Sequence, residues 1–143
     1  MDSTASSMSV DQPGSTESAL PAYRWPVLVA VAVGGVIGAL ARFGLQEAFP
    51  TDAGEFPWAT LVVNTTGCLL VGVLMVLITE VWPNRPLLRP LLGVGVLGGF
   101  TTFSAYAVDV EQAVSAGAVR IALLYLGGTL VAAMLAVWAG AGL

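Results

Sequence analysis

Four apolar runs, at about residues 25–45, 56–78, 87–108 and 119–143, leave a chain of this length little choice of environment. The hydrocarbon core of a bilayer takes about 20 helical residues to cross, and each run meets that length. Composition agrees, because 57% of the 143 residues are hydrophobic and only 10% are charged, which is too apolar for a soluble domain of this size. The expectation is an all-α integral membrane protein with four transmembrane helices, residues 24–143 forming one domain with no room for a second. Residues 1–23 are rich in Ser, Thr, Asp, Gln, Pro and Gly and read as a disordered, solvated tail. That stretch lacks a basic start followed by an apolar core and a small-residue cleavage site, so it does not read as a secretory signal.

The residue inventory removes several kinds of function. Net charge is −4, the basic residues are all arginine, and histidine is absent, so there is no basic footprint for nucleic acid. No nucleophile-and-base pair, paired carboxylates or metal cluster falls within the apolar runs, and the chain does not read as an enzyme. The single cysteine, Cys68, sits in an apolar run and reads as a small buried residue.

The third run carries Gly98-Gly99 and Thr101-Thr102 near its centre. Glycine loosens a helix, and threonine hydroxyls compete for its carbonyls. Backbone freed in hydrocarbon must find other partners, and such breaks are tolerated where they line a cavity or bind an ion. The third helix is therefore expected to be broken near its centre.

The other runs are read against that break. Tyr23, Arg24 and Trp25 are interface anchors at the start of the first, and Gly34 with Gly38 gives the spacing that lets a second helix approach closely. Arg42, near its far end, either snorkels to the headgroups or places a positive charge at a pore mouth. In the second run Thr60, Asn64, Cys68 and Gly72 recur every four residues and share a narrow polar face. Asn64 either bonds a neighbouring helix or offers its amide N–H to an ion. In the fourth, Gly128, Ala132, Ala136 and Gly140 form a small-residue stripe for helix packing, with Tyr125 and Thr129 as a polar pair beside it.

By this reading Arg42 is the only charge inside a span, while Asp109 and Glu111 sit at a helix end. Without a carboxylate at depth, proton-coupled transport is disfavoured and passive conduction is expected. Amide and hydroxyl donors, with the positive edges of Phe100 and Phe103, suit a small hard anion. Freed carbonyls at the break suit a cation instead. Arg24, Arg85 and Arg89 would face one side of the membrane and Arg120 the other, a bias of one or two charges toward cytoplasmic termini.

Three stretches then match a known family in order and spacing. Gly98-Gly99-Phe100-Thr101-Thr102-Phe103-Ser104 resembles the third-helix signature of the CrcB/Fluc fluoride channels. Gly35-Val36-Ile37-Gly38-Ala39-Leu40-Ala41-Arg42-Phe43 is similar to its first-helix motif, and Val63-Asn64-Thr65-Thr66-Gly67 to its second-helix motif. The resemblance covers all four spans. It implies a fluoride-selective channel in a prokaryotic cell membrane, exporting cytoplasmic fluoride passively. It also implies an antiparallel dimer with two pores and a structural Na+ at the dimer centre. That Na+ would be held by main-chain carbonyls of Gly98 and Thr101, and Asn64, Phe103, Tyr106, Ser104, Tyr125 and Thr129 would line the fluoride pore. Arg42 falls on the vestibule arginine. The chain departs from the family pattern at Tyr106, where a second pore phenylalanine is usual, and at Ala105, where a threonine commonly follows the serine. Some members work as pairs of homologous subunits of fixed orientation, so the partner is a second copy or a homologue. A small dual-topology exporter is the competing reading.

Overall fold

In the computed structural model, residues 24–52 and 54–143 are described; the expected polar tail at 1–23 lies outside them. The described residues form helices and turns, with four stretches long and apolar enough to cross a membrane. The chain is a multi-pass membrane protein. Helix α1 spans Arg24–Ala48. Helix α2 spans Trp58–Val76 and runs on through a widened π-type turn at Leu77–Val81. Helix α3 begins as a π-helix at Arg89–Leu97 and tightens to α-helix at Gly98–Phe100. Helix α4 spans Phe103–Ser115 and α5 spans Val119–Ala141.

Between α3 and α4 two residues leave helical geometry, Thr101 at φ −74°, ψ 151° and Thr102 at φ −146°, ψ 123°. The paired glycines do not share in this departure. Gly98 keeps helical dihedrals, and the Thr101 amide still reaches the Leu97 carbonyl at 2.9 Å. The threonines supply the reason: Thr102 Oγ1 accepts from the Ala105 amide at 3.1 Å and so caps α4.

The spans pack as two pairs through their glycines. Between α1 and α3, a Cβ on Gly95 would lie 2.9 Å from the Gly34 Cα, and one on Gly38 or Gly99 would collide with the opposing backbone. Between α2 and α5, Gly72 and Gly140 each meet the other helix's main chain. Bare backbone on backbone is how helices gain contact where lipid offers no hydrophobic drive.

Two expectations need correcting. The small stripe of α5 is not one face: Ala136 and Gly140 are buried, but Gly128 is exposed, and a Cβ added to it would meet nothing within 4 Å. A strict four-residue repeat overshoots a 3.6-residue turn by about 40° each step, so it winds off any one neighbour. The third span also extends past residue 108, to Ser115. Ser115 Oγ donates to Glu111 Oε1 at 2.7 Å one turn back, and the helix stops only at Gly117, whose φ of +77° glycine adopts without strain. Asp109 is therefore in the body of a spanning helix rather than at its end.

Candidate functional site

Asn64, on the middle of α2, faces the two extended residues. Its Nδ2 donates to the Thr102 carbonyl at 2.9 Å, and its Oδ1 accepts from the Thr102 amide at 2.8 Å. The side-chain amide thus stands in for a missing stretch of backbone. Its orientation is fixed, because the Thr102 N–H can only donate and must meet the oxygen. One of the two Asn64 N–H groups is spent here, and the second remains to offer. Gly67, three residues on, lets the Thr101 methyl and the Phe100 ring come against α2.

The backbone of the break can be followed bond by bond. In a continuous helix the amides of 102, 103 and 105 would serve the carbonyls of 98, 99 and 101. Here Thr102 gives its amide to Asn64, and Ala105 gives its amide to the Thr102 hydroxyl. Gly98 and Thr101 thereby lose their usual donors. The Gly99 carbonyl is instead met by Arg42 Nε at 3.3 Å.

A groove of about 300 Å³ opens beside this arrangement, with Asn64, Cys68, Thr102, Phe103, Tyr106 and Thr129 among its walls. Among the described residues no charged side chain lines it. Phe103 is 77% exposed and stands at its rim, with the Tyr106 ring 5.7 Å away and tilted by 47°. Tyr106 is buried, and its hydroxyl donates to the Leu126 carbonyl at 2.9 Å. The extra hydroxyl that distinguishes it from phenylalanine is therefore consumed by α5 backbone. Thr129 is also buried, and its hydroxyl meets no partner within the described residues. A buried hydroxyl without a partner is costly unless water or an ion supplies one.

Not every candidate from the sequence reaches the groove wall. Ser104 is exposed beside it, its hydroxyl 3.2 Å from that of Thr102. Tyr125 is wholly buried behind Tyr106, ring centroids 5.3 Å apart, and its hydroxyl donates to Asp109 Oδ2 at 3.1 Å. Phe56 also meets Tyr125, edge-on at 5.5 Å, so aromatic rings run from the break toward the start of α2. Arg42 lies away from the groove, bonded to Gly99 and, through Nη1, to Gln46 Oε1 at 3.4 Å.

Sequence reasoning missed Thr102 as the partner of Asn64, Gln46 as the partner of Arg42, and Asp109 as the partner of Tyr125. For Gln46 a signal was present: it follows Arg42 by four residues on one helix. For Asp109 none was, since sixteen residues and a change of helix separate it from Tyr125.

Comparison with known proteins places residues 29–141 on the family model described as CrcB-like protein, Camphor Resistance (CrcB). Among similar sequences is the fluoride-specific ion channel FluC 2 of Nocardia farcinica, 52% identical over 116 residues, covering 81% of this chain and 83% of that one. FluC 1 of Streptomyces coelicolor is 48% identical over 135 residues, 91% and 88% of the two chains. FluC 2 of Thermobifida fusca is 53% identical over 118 residues, 82% and 87% of the two.

Proposed function

From the premise that this chain belongs to the CrcB family, we propose that it is a fluoride channel through which the anion leaves the cell passively. The observation that carries the reading is the groove, where the Asn64 amide and the Phe103 ring stand beside the extended residues and the unpartnered Thr129 hydroxyl lies buried behind the wall. Fluoride is small and hard, so it gives up water only to strong N–H and O–H donors. The second Asn64 N–H is such a donor, and the positive ring edge of Phe103 adds a weaker one. None carries a full charge. The ion is thus replaced in a shell it can leave again, as conduction requires.

One wall of such a path is missing in a single chain. The groove's walls are mostly apolar with a few polar groups at the break, it lies open along one side, and Phe103 stands exposed at its edge. A second subunit closes it, which supports the dimer; the antiparallel arrangement with two pores follows from the family resemblance. The partner is a second copy of this chain in the first instance. A homologous subunit is the other reading, favoured by the numbered names FluC 1 and FluC 2 among the relatives.

The carbonyls of Gly98 and Thr101 fit the structural Na+, because the amides that would cover them are bonded elsewhere. Hard carbonyl oxygens suit a hard monovalent cation, and Na+ held there would screen their mutual repulsion and tie the two subunits together. It is structural and is not transported.

Fluoride-electrode recording of efflux from liposomes containing this chain alone, with valinomycin to carry compensating K+, tests the reading. Wild type empties the vesicles of fluoride, and Phe103→Ile slows the flux by about tenfold or more, the scale of about 1.4 kcal/mol in barrier. Phe103→Ile leaves the fold of the single chain intact, since the ring makes few contacts within it, and size-exclusion of the variant checks that the dimer still forms. Efflux no faster than from empty liposomes contradicts the proposal for this chain alone. An unchanged rate in the variant contradicts the pore assignment.

A further inference from the structure

The fold places Arg42 on main chain. Its Nε donates to the carbonyl of Gly99, one residue from the first of the proposed Na+ ligands. The glycines of α1 explain how the side chain arrives there. Gly34, Gly35 and Gly38 bring α1 onto α3 backbone to backbone, with a Cβ on Gly99 unable to clear Gly35. Arg42 follows Gly38 by four residues on the same face, so it is the first large side chain beyond the glycine contact. It meets α3 where α3 ends. Its Nη1 then reaches Gln46 Oε1 at 3.4 Å, and Gln46 Nε2 reaches Thr60 Oγ1 of α2 at 3.5 Å.

We propose that Arg42 is a positioning residue for the Na+ site: by occupying the Gly99 carbonyl it keeps the break open and leaves the Gly98 and Thr101 carbonyls to the cation. The inference rests on the sodium reading above. An uncovered Gly99 carbonyl in a membrane interior needs a donor, and the one a helix would supply is the Phe103 amide, reached by rewinding the chain. Rewinding would return amides to Gly98 and Thr101 as well and close the site. Asn64 guards Thr102 against that outcome, and Arg42 guards Gly99. The useful property of the arginine is its directed N–H. Its charge works against a cation nearby.

Side-chain geometry separates the two properties. Glutamine carries its Nε2 the same number of bonds from Cα as arginine carries Nε, so Arg42→Gln keeps the donor and removes the charge. Arg42→Met keeps the shape and removes both. Thermal unfolding of the purified full chain is followed across a series of NaCl concentrations, with choline chloride holding ionic strength constant. The expected result is a Na+-dependent rise in midpoint for wild type, the same dependence or a stronger one for Arg42→Gln, and about tenfold more Na+ needed by Arg42→Met, the scale of one lost hydrogen bond. Two variants that both keep the wild-type dependence overturn the positioning role. Two that both lose it also overturn it, by assigning the effect to charge. If Arg42→Met fails to fold, Arg42→Gln decides alone: a folded protein needing about tenfold more Na+ than wild type contradicts the inference, and one keeping the wild-type dependence supports it. A wild type indifferent to Na+ removes the sodium reading itself, and the positioning role falls with it.

Discussion

Asn64 holds the break together as well as facing the groove, and the two roles separate in experiment. Asn64→Ala strips both the amide and the carbonyl of Thr102 of their partner. Leaving two such groups without hydrogen bonds costs about 2–6 kcal/mol. The expected outcome is a lower unfolding midpoint together with lost fluoride flux, whereas Phe103→Ile loses flux at an unchanged midpoint. Equal midpoints for wild type and Asn64→Ala would show that the pairing with Thr102 carries no stability. Residue type alone picked out Asn64, because an amide in a spanning helix must be bonded. It could not tell which atoms it bonds, since Thr102 is 38 residues away. Tyr106 was legible only as a departure from phenylalanine. That its hydroxyl would reach the Leu126 carbonyl depends on how α4 leans on α5, which spacing along one helix does not encode.

At the scale of elements, glycine placement decides which helices touch. Gly95→Ala puts a methyl 2.9 Å from the Gly34 Cα and forces α1 and α3 apart. Overpacking of this kind costs about 1–3 kcal/mol. Gly128→Ala, by contrast, projects into open space and gains helix propensity, so its midpoint is unchanged or slightly raised. Thermal unfolding of the two variants side by side checks the contrast, and equal destabilisation would contradict the packing described. The number of spans and most of their boundaries were legible, because runs of about 20 apolar residues admit few alternatives. The Gly34–Gly38 contact was legible from its spacing. The α5 stripe was misread because a four-residue period drifts around a helix. The end of the third span was misread because Asp109 and Glu111 look like interface residues until α5 supplies a partner for the first.

For the whole molecule, the distribution of charge sets the mode of transport. Among the described residues none that lines the groove is charged, and Asp109 points its carboxylate to Tyr125 behind the wall. Among the described residues of the proposed path none is placed to exchange a proton for an ion, so the proposed channel would follow the electrochemical gradient of fluoride alone. HF enters cells as a neutral acid and dissociates inside, and a negative membrane potential then drives the anion out without further coupling. The exporter reading requires a coupling carboxylate in the path, and the position of Asp109 gives it one only behind Tyr125. The most direct test is the reversal potential of currents across a planar bilayer containing this chain, with a tenfold fluoride gradient and equal pH and chloride on both sides. A passive fluoride path reverses at the fluoride equilibrium potential, about 59 mV for a tenfold gradient of a monovalent ion, unmoved when a pH difference is imposed. Reversal near zero, or a potential that follows the pH difference, would contradict it.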